Sequence, residues 1–148
     1  MDLIIEMIVA FFATAAFAIL FNVPKNQWAF CGLTGSIGWL FYRIFSVPYG
    51  VVIATFIAVL ILTLLSRIFS VIRRAPVTLF LVAGIFPLVP GVGIYYTSYY
   101  FIMGELAEAA AKGMETLKLA IAIALGIMCV LSIPQRVFHC LRKVMYER

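Results

Sequence analysis

The chain has 148 residues, 66% of them hydrophobic and 11% charged, with a mean hydropathy of +1.15. That composition excludes a soluble globular domain: at roughly 20 apolar residues per crossing, the chain holds about four or five membrane helices and no room for a soluble catalytic domain. The net charge of +5 then reports membrane topology rather than nucleic-acid binding, because lysine and arginine collect on the cytoplasmic side.

Leu3 to Val23 is the first expected helix, closed by Asn22, Pro24, Lys25, Asn26 and Gln27. It reads as a span and not as a signal peptide, since a secretory amino-terminal region is basic and this one offers Asp2 and Glu6, with no small-residue cleavage site. A shorter, glycine-rich run over 28–45 follows, ending at Arg43 and Pro48; the third span, 48–69, contains the uncharged stretch VVIATFIAVLILTLLS and ends in a basic turn with Arg67, Arg73, Arg74 and Pro76. The fourth, 77–103, is interrupted near 87–93 by PLVPGVG and runs on into GELAEAAAKGMETLK. In that polar segment Glu105, Glu108, Lys112 and Glu115 share one arc of a helical wheel, which predicts a helical extension standing out of the membrane. The last span covers 117–137 and leads into a tail with Arg136, His139, Arg142, Lys143 and Arg148. The expected architecture is a single all-α, polytopic membrane domain of about five helices.

Charge sets the orientation. Three arginines lie in the 66–76 loop and four lysines or arginines from 136 onward, against none at the amino terminus and two lysines facing three glutamates at 104–118. This predicts an outside amino terminus and a cytoplasmic tail. If 28–45 only dips into the membrane, four spans and a cytoplasmic amino terminus result.

Four features bear on function. Gly32, Gly35 and Gly38 recur at every third residue, which suits close helix packing, with Thr34 and Ser36 as hydroxyls that could face a substrate path. Pro87, Pro90, Gly91 and Gly93 fall within seven residues, a density that predicts a true interruption rather than a simple kink. Discontinuous transporter helices use such ends to bind polar groups; here the carbonyls of Phe86 to Val89 would lack donors, and the amides of Gly91, Val92 and Gly93 would attract a carboxylate. Tyr95, Tyr96 and Thr97 sit within two turns of that break, while Tyr99 and Tyr100 suit an interfacial belt. Finally, no ionisable residue lies near the middle of any expected span, so Glu6, one turn into the first helix, is the chain's own candidate for proton coupling.

Enzymatic chemistry finds no support, because no GxSxG, HExxH, phosphate-loop or paired-carboxylate pattern occurs. Cys31, Cys129 and Cys140 are too scattered for a redox pair or a metal site. No cofactor is expected.

With FNVPKNQWAFCGLTGSIGWLFY at 21–42, PLVPGVGIYYTSYYFI at 87–102 and the ELAEAAAKGMETLKLA that follows, the chain resembles the threonine/serine exporter (ThrE) family over nearly its whole length, in particular its small subunits. The resemblance implies the carboxy-terminal half of a fused exporter, working with a second, longer membrane subunit that corresponds to the amino-terminal half. It implies export of threonine and serine, or of dicarboxylates such as succinate, across the plasma membrane. From the family's motifs the resemblance carries over Pro87, Pro90 and Gly91 in the break and Gly35 and Gly38 in the second helix, and no binding residues. The rival expectations are a non-transporting assembly subunit and a self-sufficient homo-oligomeric channel.

Overall fold

The computed structural model describes residues 3–134, which form helices joined by short connections: α1 (Leu3–Leu20), a 3-10 turn (Lys25–Gln27), α2 (Trp28–Arg73), α3 (Val77–Ile85), a second 3-10 turn (Phe86–Leu88), α4 (Gly91–Ile102) and α5 (Leu106–Leu131). Asp2, Cys140, His139, the tail cations from Arg136 onward and the end of the span expected over 117–137 lie outside the described residues.

The helix ends follow from local chemistry. Asn22 (φ 57°) takes the left-handed conformation that closes α1, with Val23 N donating to Ala18 O and Asn22 N to Ile19 O, both at 2.9 Å. These are the two bonds of a Schellman cap, and Val23 buries its side chain against Ala18 as that motif prefers. Arg74 (φ 51°) closes α2, with Pro76 two residues on preventing its continuation.

Gly104 (φ 80°) closes α4 in the same manner, Glu105 N reaching Tyr100 O at 2.9 Å and Gly104 N reaching Phe101 O at 3.2 Å. This corrects the expected run-on from the fourth span into the polar segment. The chain reverses at Gly104, and the polar residues instead form the first half of α5, continuous with the last span and packed back along α4.

Although α2 is one helical run, it folds back on itself. Gly50 breaks it with φ 79° and ψ 167°, a conformation that a side chain would strain. Residues 28–49 and 51–73 then lie antiparallel: Phe30 meets Phe69 with ring centroids 5.2 Å apart, a Cβ on Gly38 would lie 2.9 Å from Leu62 Cδ1, and Arg73 Nε donates to Gln27 Oε1 at 3.0 Å. Helix continues through Pro48 to Tyr49, beyond the boundary expected at 45. Each arm is about 33 Å long, enough to cross a hydrocarbon core of about 30 Å. Counting that hairpin as two crossings, α1 and α5 are long and apolar enough for one each, and α3 with α4, bent by 56°, has the geometry of either a broken span or a re-entrant loop.

The α2 hairpin is the hub. Helices α1 and α3 pack on one part of it and α5 on another, whereas α4 has a substantial contact only with α5. One core cluster joins Ala18, Val23, Cys31, Phe80 and Ala83; a second, nearer mid-height, joins Ala58, Val59, Leu62, Leu81 and Leu88. Between helices the recurrent contact is a threonine set into a glycine: Thr14 on Gly35, Thr34 on Gly84, Thr116 on Gly93 and Thr97 on Gly113. Each of these threonines donates its hydroxyl to the carbonyl four residues earlier, at 2.7 to 2.8 Å. The polar atom is thereby satisfied within its own helix, and the methyl face packs as a valine would.

The two ends of the bundle differ in charge. Lys25, Arg67, Arg73 and Arg74 gather at the end where α5 terminates, whereas Glu6 and Arg43 occupy the end near Gly50 and the acidic start of α5 extends toward that side. Arg67 is not in the basic turn where the sequence placed it. It is buried within α2, and its Nη1 donates to Val130 O at 2.6 Å and Ile133 O at 2.7 Å. The guanidinium thus satisfies carbonyls at the end of α5, where the helix dipole is negative.

Candidate functional site

The interruption is real, and its two flanks differ. On the inner side Phe86 stacks on Phe17 of α1 (4.1 Å between centroids) and Leu88 is buried with Ala58, Val59 and Leu62, so the break is anchored at about mid-height of the bundle. On the outer side α4 contains no buried residue.

Pro87 and Pro90 remove two amide donors three residues apart, and the chain leaves the α-helix between them. It makes a 3-10 turn, with Val89 N donating to Phe86 O at 3.2 Å, then passes through extended Val89 before Gly91 N donates to Val89 O at 2.8 Å. The expectation of open carbonyls from Phe86 to Val89 is therefore corrected at Phe86 and Val89, and the Gly91 amide is also engaged. Pro90 caps α4 without a side-chain bond, and Ile94 N is the first amide to turn inward, to Pro90 O at 3.1 Å. The open donors of this helix start are the amides of Val92 and Gly93.

Two of the grooves between α4 and α5 reach the break at Pro90. One, of about 540 Å³, brings Pro90, Gly93, Tyr96 and Tyr100 together with Lys112, Glu115 and Thr116. Lys112 Nζ and Glu115 Oε2 are 2.9 Å apart. Their hydrogen bond, reinforced by Coulomb attraction, holds Glu115 below and Lys112 above the ordinary range, in the part of α5 that the sequence assigns outside the apolar span. The other groove, of about 480 Å³, is lined by Val89, Pro90, Ile94, Thr97, Ser98 and Leu117 among others, and carries no charge. Thr97 and Ser98 both donate back to their own helix, to Gly93 O and Ile94 O.

The remaining residues singled out from sequence fall elsewhere. Tyr95 is 63% exposed, stacked on Tyr99 and lining neither groove. Gly91 is exposed, and a Cβ there would meet nothing within 4 Å, whereas Gly93 is the glycine at which α4 closes on Thr116. Thr34 and Ser36 are buried contacts rather than groove lining: Thr34 packs on Gly84, and Ser36 Oγ donates to Met7 O at 2.9 Å. Gly32, Gly35 and Gly38 meet Phe11, Thr14 and Leu62 respectively. Glu6 is far from the break, its Oε2 held by Arg43 Nε at 2.7 Å and by Trp39 Nε1 at 3.1 Å. Among the described residues no group of three or more His, Cys, Asp or Glu is placed to hold a metal ion.

Sequence reasoning did not connect Gly113, Thr116, Lys112 and Glu115 with the break. The spacing of small residues at Ala109, Gly113, Thr116 and Ala120 was the signal that α5 offers a close-packing face.

Helices long and apolar enough to cross a membrane, with one helix pair bent at a proline break, mark a multi-pass α-helical membrane protein. The sequence matches the family model for the threonine/serine exporter, ThrE, over residues 6–133, and the chain belongs to that family. No solved structure matches it.

Proposed function

We propose that the chain is the smaller subunit of a two-component plasma-membrane exporter of small, polar, carboxylate-bearing metabolites, either threonine and serine or a dicarboxylate such as succinate. The observation that carries this reading is the one-sided placement of α4. The helix that starts at the break has no buried residue and one substantial neighbour, α5. Open amides at membrane depth need protein or water beside them. A second, longer membrane subunit, corresponding to the other half of fused exporters, would wall the path and bury the exposed side of α4.

In this reading the amides of Val92 and Gly93 receive a substrate carboxylate at the positive end of α4. Pro87 and Pro90 keep that end open, and Tyr96 and Thr97 flank it from the two grooves. Following the positive-inside rule, the end with Lys25, Arg67, Arg73 and Arg74 faces the cytoplasm, which leaves the amino terminus outside. Tagged purification in mild detergent should recover one further, longer membrane protein in constant proportion. Recovery of a stable homo-oligomer alone would overturn the two-component reading in favour of a self-sufficient channel.

Glu6 is the coupling candidate of this reading, its carboxylate exchanging Arg43 for a proton during the cycle. Glu6→Gln should insert normally and make efflux insensitive to an imposed pH gradient. Efflux in Glu6→Gln that still follows the gradient removes Glu6 from the coupling path.

A further inference from the structure

Resting on that exporter reading, we propose that the Lys112–Glu115 pair is a specificity element at the outer part of the path, selecting solutes that carry an ammonium and a carboxylate together. Of the two grooves beside the break, only one is charged. It runs from Pro90 and Gly93 at the break to Tyr96 and Tyr100 on one wall and Lys112, Glu115 and Thr116 on the other. The close approach of Gly93 to Thr116, whose Cβ atoms would be 3.4 Å apart, places Glu115 beside the first turn of α4. The uncharged groove opposite, with Ile94, Leu117 and Ile123, suits lipid or an apolar helix rather than a charged solute.

The arrangement matches a zwitterion in three respects. Nζ and Oε2 stand 2.9 Å apart, so a positive and a negative group are offered side by side. An α-amino acid carries its two charges one carbon apart and can lie across the pair in reverse, carboxylate on Lys112 and ammonium on Glu115. Every charge keeps an opposite neighbour throughout that exchange, and the pair itself, exposed at 46% and 66%, is of the kind that contributes little to folding when left closed. The second respect is aromatic: Tyr96 and Tyr100, stacked on each other with centroids 6.1 Å apart, line the facing wall, and a phenolic oxygen can accept from an ammonium group. The third is exclusion. A dicarboxylate seated on Lys112 brings its second carboxylate against Glu115, and such like-charge contact is how a site rejects a competitor of similar size.

The test is efflux of labelled threonine and labelled succinate from cells of the protein's own organism, with the full chain at its natural level and its natural neighbours present. Wild type should favour threonine. Glu115→Gln should lower the threonine-to-succinate ratio about tenfold, the effect of one charge-assisted contact, with the amount of inserted protein unchanged. Exchanging the charges, Lys112→Glu with Glu115→Lys, should restore the ratio, because the pair still offers both signs. A wild type that favours succinate, an unchanged ratio in Glu115→Gln, or failure of the exchange to restore it overturns the specificity role and leaves the exporter reading standing. Efflux of both solutes that is unaffected by deleting the gene overturns the exporter reading itself.

Discussion

Gly35→Val should separate α1 from the α2 hairpin at a cost of about 3 kcal/mol or more, the upper end of what overpacking a well-filled interior produces. A Cβ at position 35 would lie 2.8 Å from Thr14 Cβ and 2.9 Å from Thr14 Cγ2, with Thr14 Oγ1 closer still. Thr14 is fully buried and its hydroxyl is tied to Ala10 O at 2.8 Å, so no flexible side-chain end can move aside. Helix α1 has to shift as a body. That movement also strains the Ser36 bond to Met7 O and the Glu6–Arg43 ion pair, both of which join α1 to α2. Unfolding of the purified protein in detergent measures the loss. Adding Thr14→Ala should recover part of it, and Gly91→Val, at a position where a Cβ meets nothing, is the control expected to leave stability unchanged. Equal stability of Gly35→Val and wild type would mean that this interface is looser than its geometry.

Replacing Pro90 and Gly91 together with alanine should reduce efflux at least about tenfold, the loss of one charge-assisted substrate contact, while leaving insertion intact. An alanine at 90 restores the amide that proline lacks, and an alanine at 91 favours helix over the turn in which Gly91 N bonds Val89 O. Helix can then grow back from α4 toward the Phe86–Leu88 turn, and the amides of Val92 and Gly93 bond carbonyls of their own chain instead of a substrate. Neither change adds a steric conflict at position 91. Wild-type efflux by the double variant would make the bend a matter of helix shape, and tolerance of every substitution in the break would favour the assembly-subunit rival.

Sequence and structure agree most closely where residues act on their own backbone. Pro87 and Pro90 each remove a donor, Asn22 with Pro24 and Arg74 with Pro76 stop helices, and the apolar runs between them demand a membrane. None of this depends on what lies opposite. Gly104 was also visible, yet its role as a helix stop was missed, because the strong helix formers after it suggested continuation and only the 80° φ shows the reversal.

The sequence alone determined an all-helical membrane protein broken at PLVPG, because proline, glycine and hydrophobicity act locally and in register with the chain. Only the tertiary structure decided that the turn between the second and third expected spans falls at Gly50, that Arg67 caps α5, that Thr34 and Ser36 are packing contacts, and that Lys112 and Glu115 stand beside the break. Those facts depend on which helix faces which across tens of residues of chain, and a hydroxyl or a charge reads the same in sequence whether it lines a groove or closes an interface.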